Sequence, residues 1–159
     1  MGFIRNQRGL TIYEVLILTP FILYFGLFII TAGEREMAKF ITSHAAKEAH
    51  RVLAVTHNAD LAKDIAIEKI SAYLPTEWSL SGVSKPHKAF DPHNSNSKKD
   101  FLSDVYVQDN GVTCQVGVRY HLVTPAPGIA KIMDSDAALL ERYLDVESVV
   151  TGHREFEIP

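Results

Sequence analysis

The sequence predicts an α+β protein in which a long N-terminal helix packs on a small antiparallel sheet. Residues 10–33 carry a single charged side chain, Glu14, and a helical spacing of apolar residues continues from there to residue 57. Around Asn110 and Gly111 the apolar spacing changes to two, which predicts a β-hairpin. The predicted organisation is a basic leader at 1–9, a transmembrane helix at 10–33, an amphipathic stalk helix at 34–57 and an α+β domain at 58–159.

The N-terminal apolar segment is long enough to cross a bilayer. Residues 15–33 contain no charge, and as a helix they span about 28 Å, close to the thickness of a hydrocarbon core. Arg5 and Arg8 precede the segment without any acidic residue, and the positive-inside rule places this end in the cytoplasm. We therefore expect a single-pass protein of the cytoplasmic membrane with an extracytoplasmic C-terminal domain. A removable secretory signal with a cleavage site at residues 30–32 is the alternative.

Glu14 is the one charge at the entrance of this segment. Apolar residues on both sides draw its carboxylate into the membrane boundary, where an unpaired charge costs up to about 3 kcal/mol. A side chain that snorkels to the membrane edge is one interpretation. The other is a carboxylate that pairs with a cation of another chain, and the position of Glu14 five residues beyond Gly9 favours this second interpretation.

Residues 8–14, with the sequence Arg-Gly-Leu-Thr-Ile-Tyr-Glu, resemble the processing signature of type IV prepilins. That signature combines a basic leader with a glycine and with a glutamate five residues further on, at the start of an apolar helix. The resemblance implies that a prepilin peptidase cuts after Gly9, so that Leu10 becomes the N-terminus. It also implies that Glu14 pairs with the new N-terminal amine of a neighbouring subunit during assembly.

Two features are similar to the TadE-like branch of that superfamily, the pseudopilins of tight-adherence (Flp) pilus assembly. Pro20 lies six residues after Glu14, as in the family's E-F-A-L-V-L-P run, and residues 45–51 are similar to its A-A-R-E-G-A-R stretch. Val15 and residues 33–36 differ from the family pattern, so other type IV minor pilins stay open as an alternative. Pro20 is expected to kink the membrane helix because it removes a backbone hydrogen bond.

The resemblance implies a pilin-like fold and a function in assembly. A TadE-like minor pilin takes part in building a tight-adherence pilus or a related secretion machine. Its partners are the membrane, the prepilin peptidase, other pilin or pseudopilin subunits and the assembly platform. No catalysis, cofactor, metal or small-molecule substrate is expected. An unprocessed membrane-anchored binding domain is the alternative from another class, and an enzyme domain that uses the histidine-rich surface is a third.

The composition and motifs exclude several other classes. A net charge of -3 gives no electrostatic footprint for nucleic acid. The single cysteine, Cys114, can form neither an intrachain disulfide nor a thiolate zinc site. Phosphate-loop, nucleophile-elbow and H-E-x-x-H motifs are absent from the sequence. His50 and His57 share a helical face but lie about 10.5 Å apart along it, too far for one ion. Surface histidines are therefore expected, including His121 beside Arg119.

Two helices are predicted ahead of the sheet. The first runs without a break from about residue 11 to residue 56. Its packed face is expected to comprise Met37, Ile41, Ala45, Ala49 and Val52. The second helix begins at Asn58 or Asp60, ends before Pro75 and is expected to cover the sheet. Its apolar side is expected to comprise Leu61, Ile65, Ile70 and Leu74.

The predicted hairpin has a two-residue type I′ turn at Asn110 and Gly111. In that register Val107 lies opposite Cys114 and Val105 opposite Val116. The Cys114 side chain is interpreted as a small buried hydrophobe. The inward face of the second strand is expected to comprise Val112, Cys114, Val116, Val118, Tyr120 and Leu122.

The remaining segments are assigned from turn residues and short apolar runs. Residues 84–100 are rich in Ser, Pro, Asn and Lys, which predicts an exposed loop. Residues 125–128, Pro-Ala-Pro-Gly, are expected to end the second strand of the hairpin. A short strand at 78–83, a helical turn at 135–144 and a last strand at 145–151 complete the prediction.

Overall fold

The computed structural model describes residues 4–78, 87–92, 104–126, 128–135 and 143–153, with the backbone alone at residues 4–11, 78, 87 and 88. A long apolar helix packs on a three-stranded antiparallel sheet, as the predicted α+β layout requires, and a two-stranded ribbon lies beside them. The elements are α1 (Ile4–Thr56), α2 (Ala59–Tyr73), β1 (Glu77–Trp78), β2 (His87–Lys88), β3 (Val105–Asp109), β4 (Thr113–Val123), α3 (Ile129–Met133) and β5 (Tyr143–His153).

α1 is one unbroken helix of 53 residues, as predicted to its C-terminal end. It ends at His57, whose φ of +55° lies in the left-handed region and breaks the helical path. Asn58 then caps α2, because its Oδ1 accepts hydrogen bonds from the backbone N–H groups of Asp60 and Leu61, each at 3.1 Å. The predicted cap is confirmed, and α2 folds back along α1.

The C-terminal half of α1 is enclosed on two sides, by the sheet and by α2. Small side chains line it because both neighbours approach closely, and Ala45 and Ala49 are fully buried, as predicted. Met37 was expected on the same face, but it is 57% exposed. Ala38 occupies the buried position instead.

α2 also packs through alanines. Ala62, Ala66 and Ile70 are fully buried where α2 meets α1 and β3. Leu61, which was expected to lie on this apolar side, is 41% exposed. The prediction followed the larger hydrophobe, whereas close approach of the helix backbone selects the adjacent alanine.

β4 is the central strand, with β3 and β5 on either side, and its alternation is confirmed. Val105 of β3 packs on the same core and has no exposed surface. Helix α1 packs on this face of the sheet. The buried side chains of β4 on the predicted inward face are Cys114, Val116, Val118, Tyr120 and Leu122.

The hairpin between β3 and β4 turns one residue later than predicted. Asn110 donates its backbone N–H to the Thr113 carbonyl at 3.0 Å, so Gly111 and Val112 form the two-residue loop. Only Gly111 has positive φ there, at +81°, which is the φ pattern of a type II′ turn, so the type I′ prediction is wrong.

The register of the hairpin shifts accordingly. Val107 lies opposite Val116 and Val105 opposite Val118, instead of opposite Cys114 and Val116. A shift of two residues keeps every side chain on its predicted face, because side chains alternate with a period of two. Val112 alone leaves the inward set, as it lies in the turn and is 60% exposed.

Residues 87–91 contradict the prediction of an exposed loop at 84–100. His87 and Lys88 pair with β1, and Ala89 and Phe90 are buried at 1% and 4% exposure. The Ala89 carbonyl accepts the backbone N–H of His121 at 2.9 Å, so this segment extends the sheet beside β4. Residues 84–86 and 93–100 of the predicted loop lie outside the described residues.

The last elements are confirmed in part. β4 ends at Val123, ahead of the Pro-Ala-Pro-Gly segment, and β5 contains the predicted strand at 145–151. A short helix, α3, lies at Ile129–Met133, and Tyr143 and Leu144, at the end of the helical turn predicted at 135–144, belong to β5. Residues 136–142 of that predicted turn lie outside the described residues, as do residues 79–83, which include most of the predicted strand at 78–83.

Candidate membrane-spanning and assembly segment

The N-terminal half of α1 presents large apolar side chains to its surroundings. From Ile12 to Leu23 these side chains are 54% to 72% exposed. A helix of this length and composition can cross a membrane, and almost none of the apolar stretch is buried within the chain. An apolar surface of this extent marks a contact with lipid or with other proteins.

The predicted processing site lies inside α1. The backbone is helical from Ile4, so it is helical at Arg5, Arg8, Gly9 and Leu10, whose side chains are not among those described. The helix continues through Gly9, where the predicted leader meets the predicted membrane helix. A peptidase that cuts after Gly9 must unwind one turn there, and glycine lowers the cost of unwinding by about 1 kcal/mol relative to alanine.

Glu14 is exposed on α1 among apolar neighbours. Tyr13, Val15 and Leu18 are 72%, 59% and 54% exposed around it. Among the side chains that the structure describes, no basic group pairs with Glu14. In a bilayer an unpaired carboxylate at this position would be costly, and a cation from outside the described part of the chain would offset that cost.

Pro20 lies within α1 and leaves the Leu16 carbonyl without its helical donor. At the preceding residue, the Thr19 hydroxyl donates to the Val15 carbonyl at 2.6 Å, a contact that favours helix bending. An apolar groove of about 570 Å³ surrounds this position. Its lining residues are Ile12, Val15, Leu16, Thr19, Pro20 and Leu23. The kink stays a prediction.

His121 lies in a cluster of charges that the sequence did not reveal. Its Nε2 is 3.1 Å from Asp104 Oδ1 and its Nδ1 is 2.6 Å from Asp145 Oδ1. Burial disfavours the imidazolium, but the hydrogen bonds and charges of the two carboxylates outweigh burial and raise the pKa of His121 to about 9. The expected surface histidine is instead an imidazolium with both nitrogens donating.

The carboxylates of this cluster lie on opposite sides of the imidazole ring, so they do not converge on one point. Asp104 is 5% exposed, and its second oxygen accepts the backbone N–H of Asp91 at 2.5 Å. In the part of the chain that the structure describes, no three His, Cys, Asp or Glu side chains are arranged to hold a metal ion. The cluster joins β4, β5 and the segment that precedes β3.

Cys114 connects the stalk to the sheet. Its buried Sγ lies 3.3 Å from Nε2 of His50 on α1 and 3.8 Å from the Gly152 carbonyl of β5. The ring of His50 lies so close over Gly152 that a Cβ there would come within 2.6 Å of it. The predicted burial of Cys114 is confirmed, and His50 is part of the same contact.

Tyr120 fixes the middle of β4 against the rest of the chain. Its hydroxyl donates to the Pro75 carbonyl at 2.9 Å. Burial, and secondly the charge of Glu34, raises the pKa of Tyr120 to about 12. Glu34 follows directly after the charge-free run of α1, so Tyr120 lies near the end of that run.

Comparison with known proteins gives no relative for this chain: no family model, no curated protein and no solved structure matches it. A function must therefore be argued from its own residues. The features that bear on function are Gly9, Glu14 and the exposed apolar surface of α1.

Proposed function

We propose that this protein is a TadE-like minor pilin or pseudopilin that a prepilin peptidase processes after Gly9 and that takes part in assembling a tight-adherence pilus or a related secretion machine. The observation that carries the proposal is Glu14, an exposed carboxylate at the start of an apolar membrane-length helix, five residues beyond Gly9. The chain is held in the cytoplasmic membrane with its N-terminus in the cytoplasm and performs no catalysis.

Cleavage after Gly9 accounts for the charge at Glu14. It removes Arg5 and Arg8 and creates a single ammonium group at Leu10. That group and the Glu14 carboxylate of a neighbouring subunit neutralise each other where each alone is costly. The pairing turns an unfavourable charge in every free subunit into a contact that favours ordered assembly.

The exposed apolar face of α1 extends beyond the charge-free run. Met37 and Phe40 are 57% and 74% exposed, although both follow Glu34, Arg35 and Glu36 in the sequence. In a simple membrane anchor, apolar side chains above the bilayer would have no apolar partner. Packing against the helix of another subunit gives them a partner, which favours an assembly subunit.

The TadE-like branch is supported by Pro20 more than by residues 45–51. Ala45, Ala46 and Ala49 are fully buried against the chain's own sheet and second helix. Internal packing therefore accounts for the small residues of that stretch. Pro20 lies on the exposed part of α1, where the domain does not require it.

The decisive experiment is the mass of the mature protein. We expect the wild-type chain, expressed with a prepilin peptidase, to lose residues 1–9 and to begin at Leu10, as read by intact-mass spectrometry and N-terminal sequencing. Gly9→Val should leave the precursor uncut. Gly26→Val is the matched control, since Gly26 lies in the same helix with no atom near its Cβ position, and it should be cut normally.

An unprocessed membrane-anchored binding domain is the second candidate. The helical backbone through Gly9 favours it, because a peptide bond within a helix resists proteolysis. An intact N-terminus in wild-type protein, in cells that process another prepilin, would establish this candidate and reject the first.

A further inference from the structure

One face of α1 is covered before the charge-free run ends. Phe21, Ile22 and Leu23 are 70%, 67% and 63% exposed, whereas exposure falls to 37% at Leu27 and to zero at Thr31. The covered face continues to Ala38 and into the core. The extracytoplasmic domain therefore accompanies the apolar helix well below Glu34.

β4 shows which part of the domain lies there, because it runs antiparallel to α1. Its start lies at His50 through Cys114, and its middle lies near Glu34 through Tyr120. Beyond its end, a Cβ at Gly128 would lie 3.6 Å from the Tyr24 hydroxyl. Gly128 thus lies beside the side chain of Tyr24, whose backbone is about 14 Å below the end of the charge-free run.

Residues 124–126 and 128–133, which we call the foot, have the composition of a lipid-facing segment. Lys131 is their only charged residue. Ile129 and Ala130 are fully buried, while Ile132 is 62% exposed. The Lys131 ammonium group donates to the Ser135 carbonyl, which follows the foot in the chain. The foot is an apolar end of an otherwise charged domain.

The length of α1 places the foot in the bilayer. After cleavage, residues 10–23 are the only part of the apolar run below the foot, and they span about 21 Å. A hydrocarbon core is about 30 Å thick. To span this thickness, the helix must also use residues beyond position 23, and the foot lies beside those residues. The foot then lies in the outer leaflet with them.

We propose that the foot enters the outer leaflet beside α1, with Ile132 against the acyl chains and Lys131 extended toward the headgroups. The proposal rests on α1 spanning the membrane, as in the proposed function. It makes the domain a lipid-contacting body instead of one held above the surface by a free stalk.

Site-specific fluorescence tests the proposal. Ile132→Cys is introduced into the full chain with Cys114→Ser, labelled with an environment-sensitive nitrobenzoxadiazole dye and reconstituted into phosphatidylcholine and phosphatidylglycerol vesicles. We expect blue-shifted emission and quenching by lipids that carry a doxyl group near the headgroup. Val112→Cys is the matched control, since Val112 is 60% exposed at the opposite end of β4, and its emission should be unquenched.

A label at Ile17, which is 59% exposed on α1, distinguishes failure of the foot proposal from failure of the membrane span. Quenching at Ile17 without quenching at Ile132 would overturn the foot and leave the membrane helix intact. No quenching at either position would overturn the membrane span itself. Quenching of the Ile132 label that appears only when the protein is diluted would also reject the proposal, because a second copy of the chain would then be covering the foot. Processing is read by mass, so it is judged independently.

Discussion

Glu14 and His121 are both ionisable groups, and they differ in whether the described part of the chain supplies a partner. His121 has Asp104 and Asp145 on its two nitrogens. Glu14 has none among the described side chains. Sequence reasoning found the unpaired group, because Glu14 stands alone in an apolar run. It missed the cluster at His121, because the two carboxylates lie on segments that only the folded sheet brings together.

Replacing Glu14 tests the assembly role of its charge. We expect Glu14→Ala to insert into the membrane normally and to be cut after Gly9, yet to enter no assembled complex, because the neighbour's amine loses its counter-charge. Membrane fractionation and crosslinking of subunits provide the measurement. Glu36→Ala removes an exposed carboxylate from the same helix and should assemble normally. Full assembly of the Glu14→Ala protein would contradict the pairing.

The His121 cluster predicts a pH dependence of stability. Its raised pKa means that the folded state binds the proton more tightly than the unfolded state, whose value is 6.5. The stabilisation, on the order of 3 kcal/mol, is complete below pH 6.5 and is lost as the pH rises through about 9. Unfolding of the detergent-solubilised chain at pH 6 and pH 10 measures it.

His121→Gln should remove most of this pH dependence and lower stability mainly at pH 6. His153→Gln is the control, since His153 is exposed at the end of β5, and it should follow the wild-type curve. Equal losses at both pH values would show that His121 acts through packing and not through its charge.

At the scale of elements, long periodic segments were predictable and their junctions were not. The alternation of β4 fixes its buried face, since five alternate side chains must all turn inward together. The hairpin turn depends on a few atoms: the Asp109 carboxylate accepts the Gly111 N–H at 2.9 Å and places glycine first in the loop. Residues 87–91 look like a loop in sequence because their strand character comes from pairing with β1 and with His121.

The turn at Gly111 predicts the direction in which a substitution changes the stability of the chain. Because its φ is +81°, Gly111→Ala should destabilise the chain by about 1 kcal/mol. The same substitution at Gly33, a helical position with open space around it, should be neutral or stabilising by up to about 1 kcal/mol. Chemical denaturation in detergent measures both. Similar changes of the same sign would contradict the assigned turn.

At the scale of the whole molecule, α1 belongs both to the exposed apolar N-terminal segment and to the folded domain. Its N-terminal half is exposed and apolar, and its C-terminal half is the centre of the core. The sequence predicted this division through its distribution of charge. It did not predict how far the domain follows the helix, because the approach of Gly128 to Tyr24 depends on the return of β4 along α1.

The proposed orientation is measurable on the intact molecule. With Cys114 changed to Ser, Val112→Cys should react with a membrane-impermeant maleimide in spheroplasts, because the hairpin tip lies outside the cytoplasm. Asn6→Cys, placed in the uncut Gly9→Val protein, should react only after lysis. Reaction of Asn6→Cys before lysis would invert the assigned topology.

The contact of α1 with the lengthwise strands β4 and β5 also has a mechanical consequence. A pull on the N-terminal end of the helix acts along the strands and not across them. The load is then shared in shear by the packed face from Ala38 to Leu53 and by the His50–Cys114 contact at its far end. A domain joined to its rod in this way resists extraction as a unit, whereas one attached at a single edge would peel away contact by contact.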